Sequence, residues 1–187
     1  MNVGVLALQG GFAEHLHALS RLGVHATELR KKEDLQQDLD ALILPGGEST
    51  VMGRLLGQTG MFEGLCTRIS NGIPVWGTCA GMILLAKQIE QQEQTYFGMM
   101  PITVRRNAFG RQLGSFQTEG TFAGVGTIPM TFIRAPYILE AQKNVQILST
   151  VQDHMVAARY ENLLVTAFHP ELTEDLTVLQ YFLGRCS

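Results

Sequence analysis

The sequence contains little cysteine and no recognisable metal-binding motif. Its 187 residues include only three cysteines, Cys66, Cys79 and Cys186, with no CxxC spacing and no HExxH pattern. So few and so irregularly spaced cysteines exclude a disulfide framework, and no pattern suggests a metal site. We therefore expect reduced thiols in a cytoplasmic protein that needs neither a metal nor another cofactor.

An excess of basic charge and long apolar runs are also absent. The chain has 14 Lys and Arg against 17 Asp and Glu, a net charge of -3, so it lacks the basic footprint that nucleic-acid binding usually requires. No apolar run approaches the roughly 18 residues of a membrane helix, and the first residues have no charged segment typical of a signal peptide. We expect no nucleic-acid or membrane partner, and a small polar substrate fits this charge better.

Short apolar runs alternate with amphipathic stretches along the first half of the chain. The apolar runs are 3–8, 24–29, 41–44 and 74–76, and helical spacing marks 13–22, 51–56, a stretch ending near Ser70 and a stretch from Met82 through Ile89. Buried parallel strands joined by helices have this pattern. It predicts a three-layer α/β domain with a mostly parallel central sheet and helices on both faces.

The second half of the chain has a different character. From Ile102 to about Tyr160, short β-rich runs are separated by Gly, Pro and Asn, which predicts antiparallel hairpins added to the sheet. A last strand is expected at 163–168, followed by a helix that Thr173 caps and that runs through Leu183. No repeat, linker or low-complexity segment interrupts the sequence, so we expect residues 1–187 to form one domain.

The motif GTCAG at 77–81 has the spacing of the G-x-S-x-G nucleophile elbow, with cysteine in place of serine. An apolar strand precedes it and a helix follows, as that elbow requires. Gly77 and Gly81 would remove Cβ atoms where strand and helix approach, and the helix start would favour the thiolate of Cys79. The backbone N–H of Ala80 would serve as an oxyanion donor. The alternative is a small cysteine packed into a glycine-rich turn.

A thiolate nucleophile needs a partner to protonate the leaving amine, and histidine usually serves. His169 directly follows the last predicted strand, at the end where open α/β sheets place their sites. Pro170 favours an extended backbone at His169, so Glu171 would approach the same imidazole as its orienter. A structural turn built on His-Pro is the alternative. The other histidines are interpreted as surface or structural residues: His15, His17, His25 and His154.

A second loop at a strand end, LPGGEST at 44–50, precedes a helical stretch. Paired glycines allow backbone N–H groups to converge on an anion, and Gly47 would supply the second oxyanion donor. The alternative is an ordinary strand-to-helix loop in which Ser49 or Thr50 is only the helix N-cap. Gly53 then interrupts the helical stretch at a cost of about 1 kcal/mol relative to Ala.

Together, LPGGEST, GTCAG and FHPE at 168–171 closely resemble the motifs of triad-type (class I) glutamine amidotransferases. Four further stretches, at 4–15, 105–112, 132–138 and 168–175, make the whole chain similar to the glutaminase subunits of pyridoxal 5'-phosphate synthase. The resemblance implies hydrolysis of L-glutamine to L-glutamate and ammonia. It also implies a (β/α)8 synthase subunit as partner in a large hetero-oligomer. That partner would use the ammonia to make pyridoxal 5'-phosphate and would complete the oxyanion hole.

Carried over residue by residue, the resemblance makes Cys79 the nucleophile, His169 the acid and base, and Glu171 the orienter. It implies that glutamine is held by Gly47, Glu48, Ser49, Arg106, Ile133 and Arg134. An arginine can bind the substrate α-carboxylate bidentately. Only the resemblance favours Arg106 for this over Arg105, which would equally suit solvent or a partner.

Two other functions stay open on the sequence. One is a glutaminase subunit that serves another pathway. The other is a non-enzymatic redox or binding protein of the same fold that uses Cys79 as a sensor. The pair formed by His169 and Glu171 argues against a sensor, which needs a reactive thiol but no base and orienter.

Overall fold

A computed structural model of the chain describes residues 1–107 and 114–186. Its strands and helices are, in order, β1 (Asn2–Leu6), α1 (Phe12–Arg21), β2 (His25–Leu29), β3 (Ala41–Leu44), α2 (Ser49–Gln58), α3 (Phe62–Ser70), β4 (Val75–Thr78), α4 (Ala80–Leu85), β5 (Ala86–Ile89), β6 (Met100–Arg105), β7 (Ser115–Phe122), β8 (Gly126–Ile133), β9 (Tyr137–Ala141), β10 (Gln146–Val151), β11 (His154–Tyr160), β12 (Leu163–Thr166) and α5 (Thr177–Leu183). The last five residues of the motif at 105–112 lie outside the described residues.

In the described part of the chain, ten strands form one sheet in the order β2-β1-β3-β4-β12-β11-β9-β6-β5, with β10 paired to β11. In this spatial order, the neighbouring strands β2, β1, β3, β4 and β12 run parallel to one another. The pairs β12–β11, β11–β9 and β11–β10 are antiparallel. Strands β3, β4 and β12 are buried along their whole length. Because successive side chains of a strand point to opposite faces, both faces of the sheet are covered there. The predicted α/β fold with a mostly parallel sheet is confirmed.

Apolar side chains of the parallel strands form the core of the protein. Val3, Ile43 and Val165 are fully inaccessible, and the large ring of Trp76 is 1% exposed. Each such side chain contributes about 1.5–3 kcal/mol by leaving water. Among the described residues, no helix is long and apolar enough to cross a membrane.

Two predicted elements differ from the structure at their ends. The helix expected to run through Ile89 stops at Leu85, because 86–89 forms β5 and pairs in parallel with β6. Thr173 was expected to cap the final helix, and this prediction is wrong. Its hydroxyl donates to the Pro170 carbonyl, whereas α5 begins at Thr177, whose N–H donates to Asp175 Oδ1 at 2.8 Å.

The antiparallel region is also divided differently from the prediction. Strands β9, β10 and β11 join the main sheet, but β8 pairs with β7 in a separate two-stranded sheet. This pairing runs from Ser115 opposite Ile133 to Phe122 opposite Gly126, so the two strands satisfy each other's backbone groups over their full length. The β7–β8 ribbon is therefore an addition beside the sheet and not an extension of it.

Candidate active site

The carboxyl ends of β1, β3, β4 and β12 meet at one edge of the sheet, because these four parallel strands are neighbours. Open α/β sheets place their ligands at this edge. A cavity of about 590 Å³ lies here, and the loops after these strands contribute Gln9, Gly47, Cys79 and His169 to its lining. The three predicted motif loops therefore converge on one site.

Cys79 occupies a strained turn between β4 and α4. Its backbone has φ 49° and ψ -100°, a conformation that non-glycine residues rarely adopt and that is found at nucleophile elbows. The turn is held because Cys79 N–H donates to the Thr166 carbonyl at 2.7 Å and the Cys79 carbonyl accepts from Met82 N–H at 3.1 Å. The predicted strand–elbow–helix geometry is confirmed.

The two glycines of the motif are required by close contacts. A Cβ on Gly77 would lie 2.6 Å from the Gly81 carbonyl carbon, and a Cβ on Gly81 would lie 2.0 Å from the Leu44 carbonyl oxygen. Neither distance is possible for a real Cβ atom. The turn can therefore bring the ends of β3 and β4 together only with glycine at both positions.

His169 and Glu171 form a hydrogen-bonded pair at the end of β12. The Nδ1 of His169 lies 2.8 Å from Glu171 Oε1, and His169 N–H donates to the Thr131 carbonyl at 2.8 Å. The predicted route to this contact is wrong in two respects. The strand ends at Thr166, before His169, and Glu171 reaches the imidazole through the 3-10 turn Pro170–Leu172 rather than along an extended chain.

Burial and charge set the protonation of this pair in opposite directions. Burial alone would lower the pKa of His169, but hydrogen bonds to Cys79 and Glu171 outweigh it and raise the pKa to about 10. For Glu171 the directions are reversed: burial acts to raise its pKa, but the neighbouring His15 and His169 hold that pKa below its usual range. The arrangement favours an imidazolium beside an ionised carboxylate.

The loop after β3 starts α2 with a carboxylate. The side chain of Glu48 accepts from Thr50 N–H at 3.3 Å and from Val51 N–H at 2.9 Å. Glu48 is therefore the N-cap of α2, and neither Ser49 nor Thr50 has that role. Arg106 Nη2 lies 2.8 Å from Glu48 Oε1. Burial acts to raise the pKa of Glu48, but these N–H groups and Arg106 lower it overall.

The structure distinguishes the two neighbouring arginines. Arg105 donates to Glu90 and to Tyr137 Oη, the latter at 2.7 Å, whereas Arg106 lines the cavity. All the predicted site residues except Ala80 are part of the cavity lining: Gly47, Glu48, Ser49, Cys79, Arg106, Ile133, Arg134, His169 and Glu171. Ala80 is the first residue of α4, where only its backbone N–H was predicted to act.

Sequence reasoning missed two polar residues near the site. The Oε1 of Gln9 accepts from Glu48 N–H at 2.8 Å and so fixes the loop after β3. His15 is buried, with Nε2 3.6 Å from Glu171 Oε2, although the sequence was interpreted as placing it on a polar helix face. Both lie in the stretch 4–15, which carried part of the resemblance but was assigned no chemical role.

No group of three His, Cys, Asp or Glu side chains within 1–107 and 114–186 is placed to hold a metal ion.

Comparison with known proteins connects this geometry to a family. Residues 5–187 match the model of the SNO glutamine amidotransferase family. A relative from Haemophilus influenzae, the pyridoxal 5'-phosphate synthase subunit PdxT, is 55% identical over all of this chain and 98% of its own length, and a Streptococcus pneumoniae protein of that name is 54% identical over the same shares. A crystal structure of a glutamine amidotransferase superposes with a TM-score of 0.93, 46% identity and 98% of each chain covered.

Proposed function

The chain belongs to the SNO glutamine amidotransferase family, and from this we propose that it hydrolyses L-glutamine as the glutaminase subunit of a pyridoxal 5'-phosphate synthase. The products are L-glutamate and ammonia, and the ammonia passes to a (β/α)8 synthase subunit in a hetero-oligomer. Residues 1–187 act as one glutaminase domain in the cytoplasm and use no cofactor.

The observation that carries the proposal is the convergence of Cys79, His169 and Glu171 in the wall of one cavity, where His169 Nδ1 lies 2.8 Å from Glu171 Oε1. In the first half-reaction, Cys79 Sγ attacks the side-chain carboxamide carbon of glutamine and a C–S bond forms. The backbone N–H groups of Gly47 and Ala80 stabilise the oxyanion. As it collapses, the C–N bond breaks and His169 gives its proton to the departing nitrogen, which leaves as ammonia.

The second half-reaction hydrolyses the thioester. The now neutral imidazole of His169 removes a proton from water, and the oxygen of that water attacks the thioester carbon. The C–S bond breaks with release of glutamate, and His169 is again paired with the Cys79 thiolate. Throughout, Glu171 accepts the Nδ1–H of His169, which fixes the tautomer and stabilises the imidazolium.

Polar groups in the cavity wall are suited to the α-amino-acid end of glutamine. Arg106 and Arg134 offer guanidinium groups to the α-carboxylate, and the Glu48 carboxylate offers an acceptor to the α-ammonium. Ser49 Oγ is buried without a hydrogen-bond partner among the described residues, so a polar substrate atom would satisfy it. Ile133 would contact the aliphatic part of the substrate.

Exposed apolar side chains support docking of the synthase at the cavity mouth. Ile133 and Leu172, two large apolar side chains of the lining, are 40% and 43% exposed, and a partner would cover them. The Gly46 carbonyl accepts from Gly11 N–H at 2.9 Å, so the peptide that leads to the Gly47 donor is tied to the start of α1. Docking at this mouth would break that hydrogen bond, reorient the peptide and complete the oxyanion hole.

The test is ammonia release from L-glutamine, measured with and without the synthase subunit for the wild-type chain, Cys79→Ala and Cys66→Ala. We expect the synthase to increase turnover, Cys79→Ala to reduce it at least about a thousandfold, and Cys66→Ala to leave it unchanged. Cys66 is a matched control because it lies within α3, where burial and Glu63 raise the pKa of its thiol. Normal turnover by Cys79→Ala would contradict the assignment of Cys79 as the nucleophile. Equal turnover with and without the synthase would contradict its assignment as the activating partner.

A further inference from the structure

His15 is the one histidine of α1 that faces the triad. It is 1% exposed, whereas His17, two residues further along the same helix, is exposed. Its Nε2 lies 3.1 Å from Thr78 Oγ1 and 3.6 Å from Glu171 Oε2. The side chain therefore sits between β4, which delivers the nucleophile, and the carboxylate that orients His169.

The outer oxygen of Glu171 lacks a conventional hydrogen bond. Its Oε1 is engaged by His169, but Oε2 is buried and has no partner within hydrogen-bonding distance in the described residues. Leaving a buried acceptor unsatisfied costs about 1–3 kcal/mol, and more when the group is charged. The nitrogen that faces this oxygen is His15 Nε2, slightly beyond a normal hydrogen bond.

The negative charge of Glu171 favours the tautomer of His15 that carries its proton on Nε2. If Nε2 were unprotonated, its lone pair would face the negative Oε2 of Glu171, which is unfavourable. An Nε2–H instead points positive charge at both Oε2 and Thr78 Oγ1. The ring is held for this by an edge-to-face contact with Trp76, with the ring centroids 5.4 Å apart and the planes at 84°.

We propose that His15 is a positioning residue for glutamine hydrolysis, whose Nε2–H supports Glu171 Oε2 so that Oε1 stays ionised and aimed at Nδ1 of His169. The inference rests on the proposed glutaminase function. The charged or titratable groups that act on His15 are Glu171, His169 and Glu14. Burial lowers the pKa of His15 despite the attraction of Glu171, which keeps the ring a neutral donor.

Loss of His15 has a directional consequence for pH dependence. A neutral His15 favours the ionised form of Glu171 through the positive end of its Nε2–H, because Nε2 lies 3.6 Å from Glu171 Oε2. Without that N–H, the Glu171 carboxyl binds a proton at higher pH, and the protonated form no longer stabilises the imidazolium. The fall in kcat on acidification therefore begins at a higher pH.

The test compares His15→Leu, His15→Gln and the exposed control His17→Asn, each assembled with the synthase subunit, by kcat, KM and the pH profile of kcat. For His15→Leu we expect kcat to fall by about 10- to 100-fold, the size found when outer partners of metal-binding side chains are removed, with little change in KM. Its acid limb moves to higher pH. The amide N–H of His15→Gln can reach the position of Nε2, so this variant recovers most of the kcat and most of the wild-type acid limb. His17→Asn matches the wild type in both measurements.

Three results overturn the inference while an active wild type keeps the proposed function intact. One is a folded His15→Leu with wild-type kcat and acid limb. Another is equal slowing of the Leu and Gln variants with no shift of that limb, which marks a packing role. If His15→Leu does not fold, ¹⁵N NMR of the histidine-labelled full chain decides: we expect His15 as the Nε2–H tautomer, and an Nδ1–H tautomer overturns the proposal.

Discussion

The charge of His169 depends on what its two ring nitrogens meet. Glu171 accepts at Nδ1 with 2.8 Å between the atoms, and Cys79 interacts with the same imidazole. A histidine held in this way carries its proton at neutral pH, which is the form that the proposed role as acid for a leaving amine requires. The same contacts link the active-site charge to the stability of the fold.

We predict that the contribution of His169 to stability disappears in alkaline solution. Because its pKa rises from about 6.5 in the unfolded chain to about 10 in the folded one, the folded state binds more protons between these values. The stabilisation is complete below about pH 6.5 and is lost as pH rises through about 10. Urea unfolding of the wild type and His169→Asn should give a free-energy difference that shrinks with pH, at up to about 1.4 kcal/mol per unit. A difference independent of pH over this range contradicts the prediction.

At the level of single residues, the sequence predicted the placement of side chains where that placement follows from local spacing. The turn at Cys79 could be predicted from the glycines around it, and the pairing of Glu171 with His169 from their spacing of two. Each of these patterns lies within five consecutive residues. His15 could not, because Thr78, its hydrogen-bonding neighbour, is 63 positions away and comes close only when α1 packs on the sheet. Helical periodicity could not reveal that a carboxylate and a threonine lie opposite this polar position.

Among the secondary-structure elements, α2 shows how a glycine that appears unfavourable can be required. Gly53 lowers helix propensity, but a Cβ there would lie 2.0 Å from Cε1 of Tyr96, whose ring packs directly on the helix backbone. Tyr96 lies in the segment between β5 and β6, so this contact fixes that segment against the helix that begins at the active-site loop. The apparent departure in the sequence is a packing requirement.

We therefore predict opposite effects for two alanine substitutions in this one helix. Gly53→Ala should destabilise the fold by about 1–3 kcal/mol, because the Tyr96 ring must move. Gly57→Ala, where an added Cβ meets nothing within 4 Å, should stabilise it by about 0.4–1 kcal/mol. Denaturant midpoints of the two variants and the wild type measure both. Stabilisation by Gly53→Ala would show that the ring contact does not constrain α2.

Element boundaries were harder to predict than element types. The apolar residues Leu85 and Ile89 are four apart and fit one face of a helix, yet the chain leaves α4 after six residues and enters β5. The deciding interaction is parallel pairing with β6, which starts eleven residues after β5 ends. A hydrogen bond to a distant strand leaves no trace in local hydrophobic spacing.

At the scale of the whole molecule, the topology of the sheet assembles the candidate active site. The order β1-β3-β4-β12 brings four loops to one edge, which the alternation of strands and helices made predictable. The β7–β8 ribbon was not predicted as a separate unit, although it contributes directly. The Thr131 carbonyl of β8 accepts from His169 N–H, and Ile133 and Arg134 at its end line the cavity.

Mass spectrometry of the acid-quenched complex during glutamine turnover tests whether Cys79 is the nucleophile. If Cys79 attacks the glutamine carboxamide with His169 as the acid, a glutamyl thioester forms on the enzyme before glutamate is released. We expect a glutamyl adduct on the peptide that carries Cys79, and none on the peptides of Cys66 and Cys186. Glutamate formation without an adduct on Cys79 at any quench time, or an adduct on another cysteine, would contradict it.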